Sequence, residues 1–173
     1  ALQSYVGRIN YSLLDPYNLQ VSGRYDGSSR LAPDNPRSFF PSVGLGWQLG
    51  DEAFMQNLGW FSNLKLRGSY GVTGNTSINP YQTQGTLTNT AYNFGDTPAF
   101  GWRPGAIPHA DLQWEKTHQY NVGIDFGILS NRITGVVDLY RQDTQDLLLT
   151  RGLSPASGFT SILQNVGETR NTG

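Results

Sequence analysis

The sequence predicts an all-β fold: about six antiparallel strands of a larger up-and-down transmembrane β-barrel. Three observations predict it. Segment after segment alternates an apolar row with a polar one, the two-residue period of a strand wet on one face. The segments are close to the roughly 9–11 residues that a tilted strand needs to cross a bilayer. Short and long connections alternate, as they do where tight periplasmic turns oppose extended outer loops.

Composition agrees and removes other classes. The 173 residues include 21 glycines, 12% aromatics and only 14% charged residues, which suits a barrel apolar outside and polar inside. Hydrophobic residues make up 37%, and no apolar run approaches the 18 residues of a membrane helix. Net charge is −1 and the 12 Lys and Arg are scattered, so no basic stripe awaits a phosphate backbone and nucleic acid is not an expected partner. Cysteine is absent, which excludes disulfides and thiolate metal sites and is compatible with an oxidising periplasm. The chain opens inside a strand without a signal peptide, so an internal piece of a longer exported chain is expected.

The first strand is expected over residues 3–13, with Tyr5, Gly7, Ile9, Tyr11 and Leu13 opposite Ser4, Val6, Arg8, Asn10 and Ser12. Leu14-Asp15-Pro16 turns it tightly, which places this end on the periplasmic side. A second strand, 17–26, sets Tyr17, Leu19, Val21, Gly23 and Tyr25 against Asn18, Gln20, Ser22, Arg24 and Asp26. A polar loop with Gly27, Pro33, Asp34, Asn35 and Pro36 leads into a third, 39–49, where Phe39, Val43, Leu45 and Trp47 oppose Phe40, Ser42, Gly44 and Gly46. Between Gly50 and Asn63 an acidic start with Ala53, Phe54 and Leu58 predicts one or two helical turns as a periplasmic cap.

The fourth strand, 64–72, puts Lys65 and Arg67 on one row and Leu64, Leu66, Tyr70 and Val72 on the other. A cation facing lipid near mid-membrane costs about 2–4 kcal/mol, so the charged row is expected to face the lumen. From Thr73 to Ala110 the pattern is lost, which predicts a long outer loop, with short paired segments such as 82–87 compatible with it. The fifth strand is expected over 112–126, with Lys116 and His118 standing above the hydrocarbon band, and the sixth over 133–141. The rest, 142–173, is expected to be a second long outward segment.

The wording of the chain also resembles a family. Asp26-Gly27-Ser28-Ser29-Arg30, Phe39-Phe40-Pro41-Ser42-Val43, Gly46-Trp47 and the run from Leu64-Lys65-Leu66-Arg67-Gly68-Ser69-Tyr70-Gly71 to Val72-Thr73-Gly74-Asn75 are similar to the barrel of SusC/RagA TonB-linked outer-membrane transporters. The likeness continues in order through Leu112-Gln113-Trp114-Glu115-Lys116-Thr117, Asn121-Val122-Gly123-Ile124-Asp125-Phe126, Tyr140, Thr144, Asp146-Leu147-Leu148 and Asn165-Val166-Gly167, where it implies that a further strand begins. It implies that residues 1–173 are part of a TonB-dependent receptor barrel without its plug domain and remaining strands. It also implies import of oligosaccharide or peptide fragments across the cell outer membrane. The implied partners are outer-membrane lipid, a SusD-like surface lipoprotein and the TonB complex, reached through an N-terminal region outside this sequence.

No catalytic or metal chemistry is expected, and no cofactor. His109 and His118 match no metal-binding spacing, and Gly68–Gly74 matches neither phosphate-loop pattern. Ser69 and His118 fall on opposite faces by alternation, which rules out a hydrolase triad. Two groups are candidate functional residues. Arg24, Lys65, Arg67, Glu115, Asp125 and Asp138 lie on the polar rows and are expected to line the lumen, with Lys65 or Arg67 meeting Glu115 or Asp125. Tyr81, Tyr92, Phe94, Phe100 and Trp102 lie in the long loop, either stacking on a ligand or packing the loops together. Tyr11, Tyr17, Trp47, Trp60, Tyr70, Trp114 and Phe126 fall near strand ends and are expected to form the interfacial girdles. Two alternatives are a passive porin or adhesin barrel and a soluble all-β carbohydrate-binding module.

Overall fold

Strands form where the alternation is regular, and most outlast it by two or three residues. The computed structural model describes every residue except 15, 32–35, 57–59, 77 and 110. Its strands are β1 Leu2–Leu13, β2 Tyr17–Ser28, β3 Arg37–Gln48, β4 Phe61–Asn75, β5 Leu87–Phe94, β6 Thr97–Pro104, β7 Glu115–Ile128, β8 Ile133–Gln145, β9 Leu148–Gly152, β10 Ser161–Asn165 and β11 Thr169–Thr172. One antiparallel sheet runs β1-β2-β3-β4-β7-β8-β11. The six strands expected from periodicity therefore pair each with the next, as a meander.

The long connections hold more structure than their sequence suggests. Residues 73–110 are not a featureless loop, because β5 and β6 form a hairpin around a two-residue turn in which Gly95 supplies a φ of 63°. The stretch 82–87 leads into that hairpin: Gln82 and Gln84 close turns onto Asn79 and Tyr81, Thr83 and Thr86 accept from the His109 and Gly105 amides, and Leu87 opens β5 opposite Pro104. Residues 142–173 include the β9–β10 hairpin and then β11, which returns to the main sheet beside β8. Alternation missed these pieces because they are only four to eight residues long, and the one apolar row among them, Pro98, Phe100, Trp102 and Pro104 of β6, carries two prolines that argue against a strand.

Register places whole rows on common faces. Tyr11↔Leu19, Leu19↔Leu45 and Val21↔Val43 continue through Trp47↔Leu66, Leu66↔Ile124 and Ile124↔Val137. This apolar face is exposed along its length, with Leu45 62%, Val122 54% and Val137 54% accessible. Among the described residues nothing packs over it, as a soluble sandwich would require. On the other face, hydroxyls and amides bond across strands: Ser12 to Asn18 at 2.8 Å, Ser22 with Ser42 at 2.7 Å and Thr117 with Thr144 at 2.9 Å.

The ends of the sheet are finished differently. At the short-turn end, Tyr17 and Trp47 stack with ring centroids 5.8 Å apart. The Tyr17 hydroxyl and the Trp47 indole both donate to Glu52 Oε1, at 2.8 and 3.0 Å, from the cap containing α1 Ala53–Gln56. The turn residues Asp15, Pro33, Asp34 and Asn35 and the cap residue Leu58 lie outside the described residues. Between β7 and β8, Leu129, Ser130 and Asn131 all take positive φ, so this turn stores left-handed geometry that only Asn favours.

At the opposite end a small core forms from Leu31, Phe40, Val72, Ile78, Leu112 and Trp114. This corrects two expectations. Residues 112–114 precede β7 rather than open it, and Trp114 is buried to 4% exposure instead of standing in a girdle. Its ring meets Phe40 edge-on at 5.3 Å, and a side-chain carbon at Gly74 would collide with both rings. Phe40 sits on the polar row by alternation, and it leaves water by folding under the outer segments.

Candidate functional site on the polar face

Arg24, Lys65, Arg67, Glu115, Asp125 and Asp138 all lie on one face of the sheet. The pairings Arg24↔Phe40, Gly46↔Arg67, Lys65↔Asp125, Asn75↔Glu115 and Gly123↔Asp138 carry that face from β2 to β8. They do not form one cluster. Arg24 turns along its own strand to Asp26, at 2.7 Å, and lies over the Phe40 ring. Glu115 sits near the core end, accepting from Asn75 Nδ2 and the Leu148 amide at 3.4 Å each, and meets neither Lys65 nor Arg67.

The network that does form centres on Arg67. Its Nη2 donates to Asp125 on β7 at 2.9 Å and to Asp138 on β8 at 3.1 Å. To reach β8 the guanidinium must cross the whole width of β7. It crosses at Gly123, where a side-chain carbon would collide with the Asp138 carboxylate and crowd the guanidinium. The absence of a side chain is what lets one arginine bridge two strands. Sequence reading expected the Arg67–Asp125 partnership but missed Gly123; the available signal was a glycine alternating with acids on a polar row. Lys65 stands opposite Asp125, with its stem over Gly46 beside a shallow hollow of about 370 Å³ that Asn10, Asn18, Gln20, Ser69 and Asn121 also line. Amides, hydroxyls and a few charges of both signs suit water and polar solutes. Among the described residues no cluster of His, Cys, Asp or Glu is arranged to hold a metal ion.

The loop aromatics are exposed but divided. Tyr92 and Phe94 share one face of the β5–β6 hairpin with ring centroids 5.0 Å apart. Phe100 and Trp102 stand opposite Ala91 and Asn89, which puts them on the other face, and Tyr81 lies in a separate turn with a φ of 66°. Each of the five is at least 66% exposed. His118 lies opposite Val72 and bonds the Tyr70 hydroxyl at 2.9 Å, on the face away from Ser69, so the two form no triad.

A sheet with one exposed apolar face, one polar face and no closure of its own is a barrel wall, and its sequence matches a family described as TonB dependent receptor-like, beta-barrel, over residues 3–173. The chain belongs to that family. Among curated relatives of this TonB-dependent receptor barrel, the TonB-dependent receptor SusC of Bacteroides thetaiotaomicron is 41% identical over 178 residues, covering 99% of the chain and 18% of that protein. The TonB-dependent receptor P26 of Formosa agariphila is 37% identical over 172 residues, covering 99% of the chain and 17% of that protein. The solved structure of the RagAB peptide transporter superposes with a TM-score of 0.89 at 37% identity, covering 99% of this chain and 19% of that one. The chain thus spans less than a fifth of the relatives it matches, and the SusC/RagA likeness read from the sequence holds along its whole length.

Proposed function

We propose that this segment is part of the wall of an outer-membrane transporter that imports glycan or peptide fragments using energy delivered through TonB. The observation that carries the proposal is the split of the sheet into a face that is apolar through its middle and a hydrogen-bonded polar face, in a chain of the TonB-dependent receptor family. The apolar face contacts lipid, and the polar face, with Arg24, Lys65, Arg67, Glu115, Asp125 and Asp138, lines the lumen. A SusD-like surface lipoprotein covers the outer mouth, near which the exposed rings of Tyr92 and Phe94 are available to stack on a sugar or an aromatic peptide side chain. The segment performs no covalent chemistry.

Uptake of fluorescently labelled oligosaccharides and oligopeptides by cells carrying the full-length protein tests this reading. Accumulation of one class is expected to require both the protein and a functional TonB. Uptake that persists unchanged when TonB is deleted would identify a passive pore instead.

A further inference from the structure

On β2 and β3 an aromatic pair bounds the apolar face at each end, Tyr17 with Trp47 at the short-turn end and Tyr25 with Phe39 at the other. Eight residues separate Tyr17 from Tyr25, about 26 Å along the strand at roughly 3.3 Å per residue, or about 20 Å of height at a tilt of roughly 40°. The apolar band of an outer-membrane barrel is roughly 25 Å tall, so with this face toward lipid the two pairs stand at its edges and Tyr17–Trp47 marks the periplasmic one. β2 and β3 each have a neighbour on both sides in this sheet, so the levels do not depend on strands outside the sequence.

A Tyr hydroxyl or Trp indole at such an edge ordinarily donates to water or to lipid oxygens. Here one residue of the chain takes both donors. The Tyr17 hydroxyl and Trp47 Nε1 reach the same oxygen, Glu52 Oε1, and among the described residues no cation pairs with that carboxylate. Glu52 is fixed through its backbone as well: its amide donates to the Leu49 carbonyl at 3.1 Å, and its carbonyl accepts from the Met55 and Gln56 amides at 2.9 and 3.1 Å. The turn before it lies against β4, where a side-chain carbon at Gly50 would come within 3.1 Å of the Leu64 nitrogen. The cap between β3 and β4 is therefore held at the periplasmic edge of the apolar face. It presents Phe54 and Trp60, 55% and 79% exposed, large apolar groups that mark a contact surface when they adjoin an apolar face.

We propose that this cap is a foot resting in the periplasmic leaflet. Glu52 stands where a lipid oxygen would otherwise accept from Tyr17 and Trp47, and the rings of Phe54 and Trp60 enter the headgroup region of the phospholipids. The proposal rests on the apolar face being the lipid face, and it assigns membrane contact to residues outside the strands. The occupant is phospholipid rather than a periplasmic protein because two hydrogen bonds join the cap to an apolar face that continues through Leu19, Leu45 and Leu66.

A photoreactive benzophenone amino acid placed at Phe54 of the full-length transporter, irradiated in native outer membranes, tests the foot. The protein is expected to gain the mass of a glycerophospholipid, and Glu52→Ala to lower that yield about fivefold by removing the acceptor of two hydrogen bonds. Glu52→Gln, which keeps a carbonyl oxygen at that place, is expected to retain the adduct, and heat-resistant electrophoretic mobility will show that each variant is folded. Adducts to protein alone, or an undiminished yield in folded Glu52→Ala, would overturn the proposal. The same probe at Leu66 reports on the lipid face itself. A lipid adduct at Leu66 with none at Phe54 contradicts the foot alone, whereas none at either contradicts the face assignment beneath it. TonB-dependent uptake is scored separately, so a passive pore with a lipid adduct at Phe54 would contradict only the transport reading.

Discussion

Leu66→Arg is expected to impair assembly of the barrel, whereas Arg67→Leu, one residue along the same strand, leaves insertion intact. Leu66 stands between Trp47 and Ile124 on the apolar face. On the proposed assignment a cation placed there faces lipid, at a cost of about 2–4 kcal/mol near mid-membrane. Arg67 points to the other side, where its loss frees the carboxylates of Asp125 and Asp138 to water without exposing charge to hydrocarbon. The measurement is the fraction of each full-length variant recovered in outer membranes in heat-resistant form. Equal recovery of the two would mean that the faces of β4 have been assigned the wrong way round.

Trp114→Ala is expected to be the most damaging truncation in the outer core. The indole is 4% exposed, packs on Phe40 and shares its cavity with Leu112, the least accessible residue of that core. Removing a buried aromatic of this size costs about 3–5 kcal/mol. The loss falls on the segment that this core ties down rather than on the meander. Limited proteolysis is expected to cut residues 76–113 at least tenfold faster in the variant, an estimate that allows for partial transfer of a loss of that size to local opening. The heat-resistant barrel itself persists. Cleavage elsewhere in the barrel with no change in residues 76–113 would place the stabilising role of Trp114 elsewhere.

How much of this was legible depended on the length and regularity of each element. Six strands and their partners follow from alternation alone, because strands such as Tyr17–Ser28 keep one row apolar for most of their length and a one-residue slip would move that row to the polar face. The shared face of Arg24, Lys65, Arg67, Glu115, Asp125 and Asp138 followed from the same rule. Their partners did not, because register depends on turn geometry. Only the coordinates show that Arg67 passes over Gly123 while Glu115 lies near the core end. The outer core was illegible for a different reason: Phe40 lies on a polar row and Trp114 near a strand end, and their burial depends on segments distant in sequence. The β5–β6 hairpin escaped detection because Tyr92 and Phe94 point one way and Phe100 and Trp102 the other, and the row that holds Phe100 and Trp102 also carries two prolines.

The central claim is that one face of this sheet meets lipid and the other meets water, and alternate positions of β4 and β7 report on it directly. The segment contains no cysteine. Single cysteines can therefore be introduced at Leu66, Arg67, Asn121 and Val122 of a cysteine-free full-length transporter and labelled with nitroxide. In reconstituted bilayers the labels at 66 and 122 should be relaxed by oxygen dissolved in the membrane, and those at 67 and 121 by a water-soluble nickel complex. Loss of that alternation, or its reversal, would contradict the assignment of the lipid and lumen faces.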